Sequence, residues 1–351
     1  MYLDFFGLNE FPFQLTPDSD FLYLSESHAQ AKSYMDYSIW NRDGFVVITG
    51  EVGTGKTTLI QKLLGELDEN VLVAKIFQTQ LNEAEFLQAV LNEFGIKAFN
   101  AGKVELLDLL NNYLVDRFVE SKQMVLIVDE AQNLSFRVLE EIRMLSGLET
   151  QKEKILHVIL VGQPELRDKL ESPQLAQLLQ RVRLRFHLEP LSKDDVRKYI
   201  EHRLRTAGAA DGAIFDDAAY GAVYQFTGGV PRLINTLCDT AMTFAYADEK
   251  RKINGQAIRA AAKELRWPVF ANRGKATGDH KAVDNTAPSS LDTMDRRRDV
   301  DGLTANLDRL DSLLPSMLAI ADRMIKIEAQ LKKLTDSADG NEASQADRKK
   351  K

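Results

Sequence analysis

The chain has 351 residues, 44% of them hydrophobic and 28% charged, with 45 Lys and Arg against 52 Asp and Glu. This balance excludes a wholly disordered chain, a collagen and a small disulfide scaffold, and the length allows about two domains. The net charge of −7 disfavours a dedicated nucleic-acid binder, and the single cysteine, Cys238, cannot form an internal disulfide.

The amino terminus, MYLDFFGLNEFPF, carries an acid at Asp4 and no basic stretch before an apolar one, so it does not read as a secretory signal. The best continuous apolar runs, Val125–Val128 and Ile155–Val161, are strand-sized and too short to span a bilayer. The expectation is a cytoplasmic protein that reaches a membrane only through a partner.

Short β-branched runs predict strands at Phe45–Thr49, Val71–Phe77, Met124–Val128, Ile155–Val161 and Leu184–Leu188, and helical stretches separate the first four. The alternation predicts an α/β fold with a five-stranded, mostly parallel sheet. From Ser192 onward only helical patterns follow, at Asp194–Thr206, Asp216–Phe226, Leu233–Ala247 and Gln256–Leu265. Ser192 with Asp195 resembles a capping box, and Asp216 and Asp217 bias a helix start. The expected organisation is an α/β core at 1–190, a small all-helical domain at 191–268 and a disordered linker at 269–302. An amphipathic or coiled-coil helix follows at 303–335 and a basic disordered tail at 336–351. The helix rests on a heptad seam, Leu303, Leu307, Leu310, Leu314, Met317, Ala321 and Met324, interrupted by Pro315. The acid excess belongs to residues 1–270, and the remainder is nearly neutral.

The first predicted strand runs into Gly50-Glu51-Val52-Gly53-Thr54-Gly55-Lys56-Thr57-Thr58, and a helix opens behind it. This is the G-x-x-x-x-G-K-[ST] phosphate loop. The glycines let successive backbone N–H groups converge on phosphate oxygens, and the helix adds its positive end. Lys56 would meet the β- and γ-phosphates, and the Thr57 hydroxyl would ligate Mg²⁺. A second apolar strand ends in Asp129-Glu130. At the carboxyl edge of a parallel sheet it would stand beside the phosphate loop, with Asp129 as a Mg²⁺ ligand and Glu130 polarising the attacking water. No N-K-x-D or T-K-x-D guanine-reading motif occurs, so ATP is expected rather than GTP.

Several features together resemble the general-secretion-pathway protein A (ExeA-like) AAA+ ATPases over about residues 1–268. They are Phe6-Gly7-Leu8 with Pro12-Phe13, Pro17-Asp18, Phe21-Leu22-Tyr23 and His28, and the Walker B segment Asp129-Glu130-Ala131-Gln132-Asn133-Leu134. The strand ending Leu160-Val161-Gly162-Gln163-Pro164-Glu165-Leu166 resembles their sensor 1. Leu179-Gln180-Arg181 resembles the arginine-finger region, and Gly228-Gly229-Val230-Pro231-Arg232-Leu233-Ile234-Asn235 the sensor 2 helix of the lid. The lid ending Leu265-Arg266-Trp267 fits the branch found in exosortase (PEP-CTERM) and exopolysaccharide loci. More distant similarity reaches transposition ATPases.

The resemblance implies roles for further residues. Gln163 would bond the attacking water or γ-phosphate, Arg232 would reach the γ-phosphate from the lid, and Arg181 would act on a neighbour's site. Plainer readings stay open: a turn-capping amide before Pro164, a helix-start arginine, and a solvated strand-edge arginine in a group with Arg183 and Arg185. A site shared between subunits implies a homo-oligomer, a ring or a filament. The secretion-pathway members carry a transmembrane helix and a periplasmic peptidoglycan-binding domain after the ATPase, and neither is expected here. An inner-membrane secretion or polysaccharide-export partner docked by the heptad segment is expected instead. The competing readings are a DNA-associated AAA+ protein of transposition or initiation type and a slow regulatory nucleotide switch.

Overall fold

A computed structural model describes residues 2–272, apart from 41–43, 99–100, 151–152 and 210–213. The heptad seam, the basic tail and all but the first residues of the expected linker lie outside the described residues. The chain opens with α1 (Tyr2–Phe6) and α2 (Glu26–Trp40), then runs β1 (Phe45–Gly50), α3 (Lys56–Gly65), β2 (Val71–Ile76), α4 (Glu83–Glu93) and α5 (Lys103–Val119). It continues through β3 (Gln123–Val128), α6 (Phe136–Leu145), β4 (Leu156–Gly162), α7 (Pro164–Leu170), α8 (Ala176–Arg181) and β5 (Leu184–Leu188). Four helices follow: α9 (Lys193–Thr206), α10 (Asp217–Thr227), α11 (Pro231–Ala247) and α12 (Gly255–Glu264).

The five strands form one sheet in the order β2-β3-β4-β1-β5, and every pairing is parallel. Strands buried on both faces lose the polar alternation, which is why β1, β3 and β4 read as nearly continuous apolar runs, with His157 buried inside β4. One face presents Val46, Ile48, Val125, Ile127, Ile159 and Val161 to Ala31, Met35 and Ile39 of α2 and to Leu59, Ile60 and Leu63 of α3. The opposite face presents Val47, Ala74, Leu126, Val128, Val158 and Leu160 to α4, α5 and α6. The order has a direct consequence for chemistry. β4 lies between β1 and β3, with Thr49 opposite Gly162 and Val128 opposite Leu160. The carboxyl ends of the phosphate-loop strand, the acidic strand and the Gln163 strand therefore open on one edge of the sheet, where open α/β folds bind ligands.

The helices after β5 share a third core. Val196, Ile200 and Leu204 of α9 meet Val223 of α10, Ile234, Leu237 and Met242 of α11, and Ile258 of α12. Ser192 caps α9 by accepting from the Asp195 N–H at 3.1 Å, but the Asp195 carboxylate accepts the Ser192 hydroxyl at 2.6 Å rather than its N–H. The capping box is thus half formed. Asp216 caps α10 through the Ala219 N–H at 2.8 Å. Gly229 joins α10 to α11 at φ +80°, with a Cβ position 1.9 Å from the Leu191 carbonyl oxygen, so only glycine fits the close crossing there.

Two features depart from the expected division of the chain. The amino-terminal segment, expected within the α/β core, packs its Tyr2, Leu8, Phe13 and Phe21 into the helical core. Tyr2 donates to Asp239 at 2.6 Å, and the Asn9 N–H to the Ala207 carbonyl at 2.8 Å. Its aromatic side chains recur without helix or strand period, so nothing in their spacing says which body they cover. The expected linker also begins as structure: residues Phe270–Asn272 form a 3₁₀ turn, and the Phe270 ring packs against Gly228. Among the described residues no helix is long and apolar enough to cross a membrane.

Candidate functional site

The phosphate loop bridges the end of β1 and the start of α3. Lys56, at the first turn of α3 and 6% exposed, donates to the carbonyls of Gly50 at 2.7 Å and Glu51 at 2.9 Å. Burial pulls its ammonium below the ordinary lysine range, while Glu130, Asp129, Glu51 and Glu165 act the other way. The loop is closed on itself by the Thr54 hydroxyl, which donates to the Glu51 carbonyl at 2.9 Å.

Asp129 leaves β3 buried, and its Oδ2 accepts the Thr57 hydroxyl at 2.8 Å. Its Oδ1 accepts the Glu130 N–H at 2.9 Å. Desolvation raises its carboxyl above the ordinary range against these two hydrogen bonds. Glu130 follows in the left-handed region at φ +51°, ψ +37°, a strained position for a glutamate that costs about 1 kcal/mol or more. The turn aims the carboxylate at the loop cavity and at two amides. Gln132 Nε2 donates to Glu130 Oε2 at 2.6 Å, and Gln163 Nε2 donates to the same oxygen at 3.0 Å. Gln132 Oε1 in turn accepts the Gln163 N–H at 3.0 Å. Burial pushes the Glu130 carboxyl upward, but the two amides and the charge of Lys56 outweigh it and hold it below the ordinary range. A glutamate so held stays ionised at neutral pH.

One cavity of about 330 Å³ collects these parts. Val52, Gly53, Thr54, Gly55, Lys56, Thr57 and Thr58 line it together with Glu130 and Arg232. Arg232 stands in the first turn of α11, its N–H bonded to the Gly53 carbonyl at 3.2 Å. The lid helix thus touches the phosphate loop directly. Gln163 reaches the cavity only through Glu130.

Arg181 is placed differently from the expectation. Its guanidinium donates to the Arg143 carbonyl and, at 3.1 Å, to the Ser146 hydroxyl, closing the carboxyl end of α6 within its own chain. That end carries unsatisfied carbonyls and negative dipole charge, which attract a cation. Arg183 and Arg185 extend from the edge of the sheet and are exposed. Arg181→Ala should therefore lower the stability of the isolated chain by about 1–2 kcal/mol in a denaturant titration. A side chain acting only in trans would leave the unfolding midpoint unchanged.

Several site residues carried no role in the sequence reading. The far end of the cavity is lined by Gln14, Pro17, Phe21 and Tyr23 from the amino-terminal segment and by Tyr199, Arg203 and Asn235 from the helices. Arg203 is buried, donating to the Pro12 carbonyl and, at 3.4 Å, to the Gln14 carbonyl, with its guanidinium 4.8 Å from the Phe21 ring centre. Asn235 also donates to the Gln14 carbonyl, at 3.1 Å, and accepts the Tyr199 hydroxyl at 2.7 Å. Lys169 of α7 donates to the carbonyls of Gln132 and Leu134, steadying the turn that carries Gln132. The only signal for the amino-terminal residues was their place in the family resemblance, which names positions without assigning them work.

Comparison with known proteins bears on the family and the fold. Residues 40–170 match the AAA domain family. Over 266 residues the chain is 42% identical to General secretion pathway protein A of Aeromonas hydrophila, a match covering 76% of this chain and 48% of that protein. The chain thus spans about half the length of this relative. Among solved structures, Cdc6p from Pyrobaculum aerophilum is similar at TM-score 0.58 and 18% identity, over 74% of this chain and 71% of that one. The Aeropyrum pernix ORC2 protein is similar at TM-score 0.54 and 18% identity, over 73% and 72%. At such identities the likeness is one of fold. The chain thus has a P-loop AAA fold, with residues 40–170 similar to the AAA domain family and 266 residues similar to General secretion pathway protein A.

Proposed function

We propose that the chain binds ATP with Mg²⁺ and hydrolyses it, and that turnover drives or regulates assembly of a cell-envelope secretion or exopolysaccharide-export system. One observation carries the chemistry: Lys56, Thr57 and Glu130 line a single cavity, and Asp129 is hydrogen-bonded to Thr57 beside it. The Thr57 hydroxyl and Asp129 carboxylate are hard oxygen donors, fit for Mg²⁺, and would hold it with phosphate oxygens and water. When bound, the metal would neutralise charge on the transferred phosphoryl group.

The chain's own residues do the rest. The converging N–H groups from Gly50 to Thr58 cradle the phosphates, and Lys56 turns its ammonium from the loop carbonyls onto the β- and γ-oxygens. Glu130, ionised and fixed by Gln132 and Gln163, orients the attacking water and takes up its proton. The water oxygen bonds to the γ-phosphorus as the bond to the β-phosphate oxygen breaks, leaving ADP and phosphate. Arg232 faces the γ-phosphate from the lid. An arginine of a neighbouring subunit in a ring or filament completes the site; Arg181, Arg183 and Arg185 are the candidates.

The envelope role rests on the similarity to General secretion pathway protein A, and the exosortase or exopolysaccharide setting on the lid ending Leu265-Arg266-Trp267. The purified chain should release phosphate from ATP with Mg²⁺, at a rate abolished by a chelator and not reproduced with GTP. Absence of Mg²⁺-dependent turnover would overturn the enzymatic reading. Deleting the gene should abolish an exported envelope product, and unchanged export would overturn the envelope reading.

A further inference from the structure

A histidine that lines the cavity beside the phosphate loop has no part in the chemistry above, yet it touches the loop backbone. His28 is 2% exposed in the first turn of α2. Its Nε2 lies 2.9 Å from the Thr54 carbonyl oxygen and its Nδ1 2.7 Å from the Ser25 hydroxyl. Ser25 also accepts the His28 backbone N–H at 3.3 Å, as the residue that caps α2.

The partners settle the tautomer. A carbonyl oxygen only accepts, so Nε2 carries the proton and donates to Thr54. Nδ1 is then the acceptor and takes the Ser25 hydroxyl proton. Burial acts in the same sense by lowering the pKa of the imidazole. The ring is thus held on both sides, by a cap at the root of α2 and by the loop. The helix behind it is anchored on the sheet through Ala31, Met35 and Ile39, all at most 1% exposed.

The held carbonyl belongs to the peptide between Thr54 and Gly55. In a trans peptide the C=O and the following N–H point in opposite directions. Fixing the Thr54 carbonyl on His28 therefore turns the Gly55 N–H away from α2 and towards the phosphate side of the loop. Gly55 has φ +100°, and a Cβ there would stand 3.2 Å from His28 Nε2, so the ring and the glycine are fitted to each other.

We propose that His28 is a positioning residue for nucleotide binding: as the Nε2–H tautomer oriented by Ser25, it locks the Thr54–Gly55 peptide of the phosphate loop in its anion-accepting orientation. This rests on the ATP-binding reading above. It acts on affinity through the loop backbone, by holding the Thr54 carbonyl.

The test compares wild type with His28→Ala, His28→Gln and Ser25→Ala. The readouts are the Kd of a fluorescent ATP analogue, kcat with saturating Mg²⁺–ATP, and the melting temperature without nucleotide. His28→Ala should weaken binding about tenfold, the worth of one hydrogen bond to a buried carbonyl, with kcat at saturation within about threefold of wild type. Gln places an amide donor near the same carbonyl and should recover most of the affinity. Ser25→Ala should weaken binding a few-fold, because the ring loses the partner that orients it. Wild-type affinity in His28→Ala overturns the proposal. So does an affinity loss in which His28→Gln is no better than His28→Ala at equal melting temperature. If His28→Ala does not fold, wild-type affinity in Ser25→Ala decides against it. A wild-type chain that binds no ATP would sink the ATP-binding reading and this inference with it, whereas active wild type with unaffected variants sinks the inference alone.

Discussion

Lys56→Ala should lose ATP affinity by about 100-fold or more, read by titration with a fluorescent nucleotide. The ammonium is the one basic group inside the loop, buried to 6% exposure and facing the carboxylates of Glu130, Asp129 and Glu51. Phosphates entering that space add negative charge beside existing carboxylates. Without Lys56 that repulsion is met only by Arg232 and the metal, and loss of a charge-assisted contact in a desolvated site costs about 3 kcal/mol or more. The same substitution frees the Gly50 and Glu51 carbonyls, so the nucleotide-free melting temperature must be recorded alongside. A variant that melts like wild type and still binds ATP with wild-type affinity would refute the phosphate-loop assignment.

Glu130→Gln should bind ATP within a few-fold of wild type and hydrolyse it about 10²–10⁴ times more slowly, the range of a lost general base. The substitution preserves shape. A glutamine oxygen at 130 can still accept from Gln132 and Gln163, which now donate at 2.6 Å and 3.0 Å, so the turn at φ +51° is retained. Only the ability to take a proton is lost. Kinetics should split cleanly, with kcat falling and Kd holding. Normal turnover in this variant would remove Glu130 from the mechanism and leave its strained backbone unexplained.

The contrast between Glu130 and Arg181 shows how far local sequence reaches. Glu130 follows an apolar strand, and the carboxyl edge of a parallel sheet is where such a strand must deliver it, so its place beside the loop was legible from pattern alone. Arg181 was read by position in a motif. Its actual partners, the Arg143 carbonyl and Ser146, are 38 and 35 residues away and lie at the end of another helix. No spacing rule links a guanidinium to a helix end that tertiary packing brings to it.

The lid shows the same division. Helices α9 to α12 were visible as periodic stretches, and the caps Ser192 and Asp216 as side chains before them, because capping acts within four residues. That the aromatic amino terminus covers these helices was not visible. Neither were the buried Arg203 gripping the Pro12 and Gln14 carbonyls nor His28 holding the Thr54 carbonyl. These bonds go to backbone oxygens, which every residue possesses, so the partner leaves no mark in the sequence.

Periodicity made the five strands and the four later helices legible, and local chemistry the reactive set: the glycine-rich loop with Lys56 and Thr57, and the acids Asp129 and Glu130. These follow from periodicity and from groups whose chemistry is local. Which strand lies between which, and hence that Gln163 meets Glu130, comes from the packing of the whole sheet. So do what closes the far end of the cavity and which side chain holds the Thr54 carbonyl of the loop. The reason is physical: strand order and side-chain-to-backbone bonds depend on long-range packing, where many residues could serve and the fold selects one.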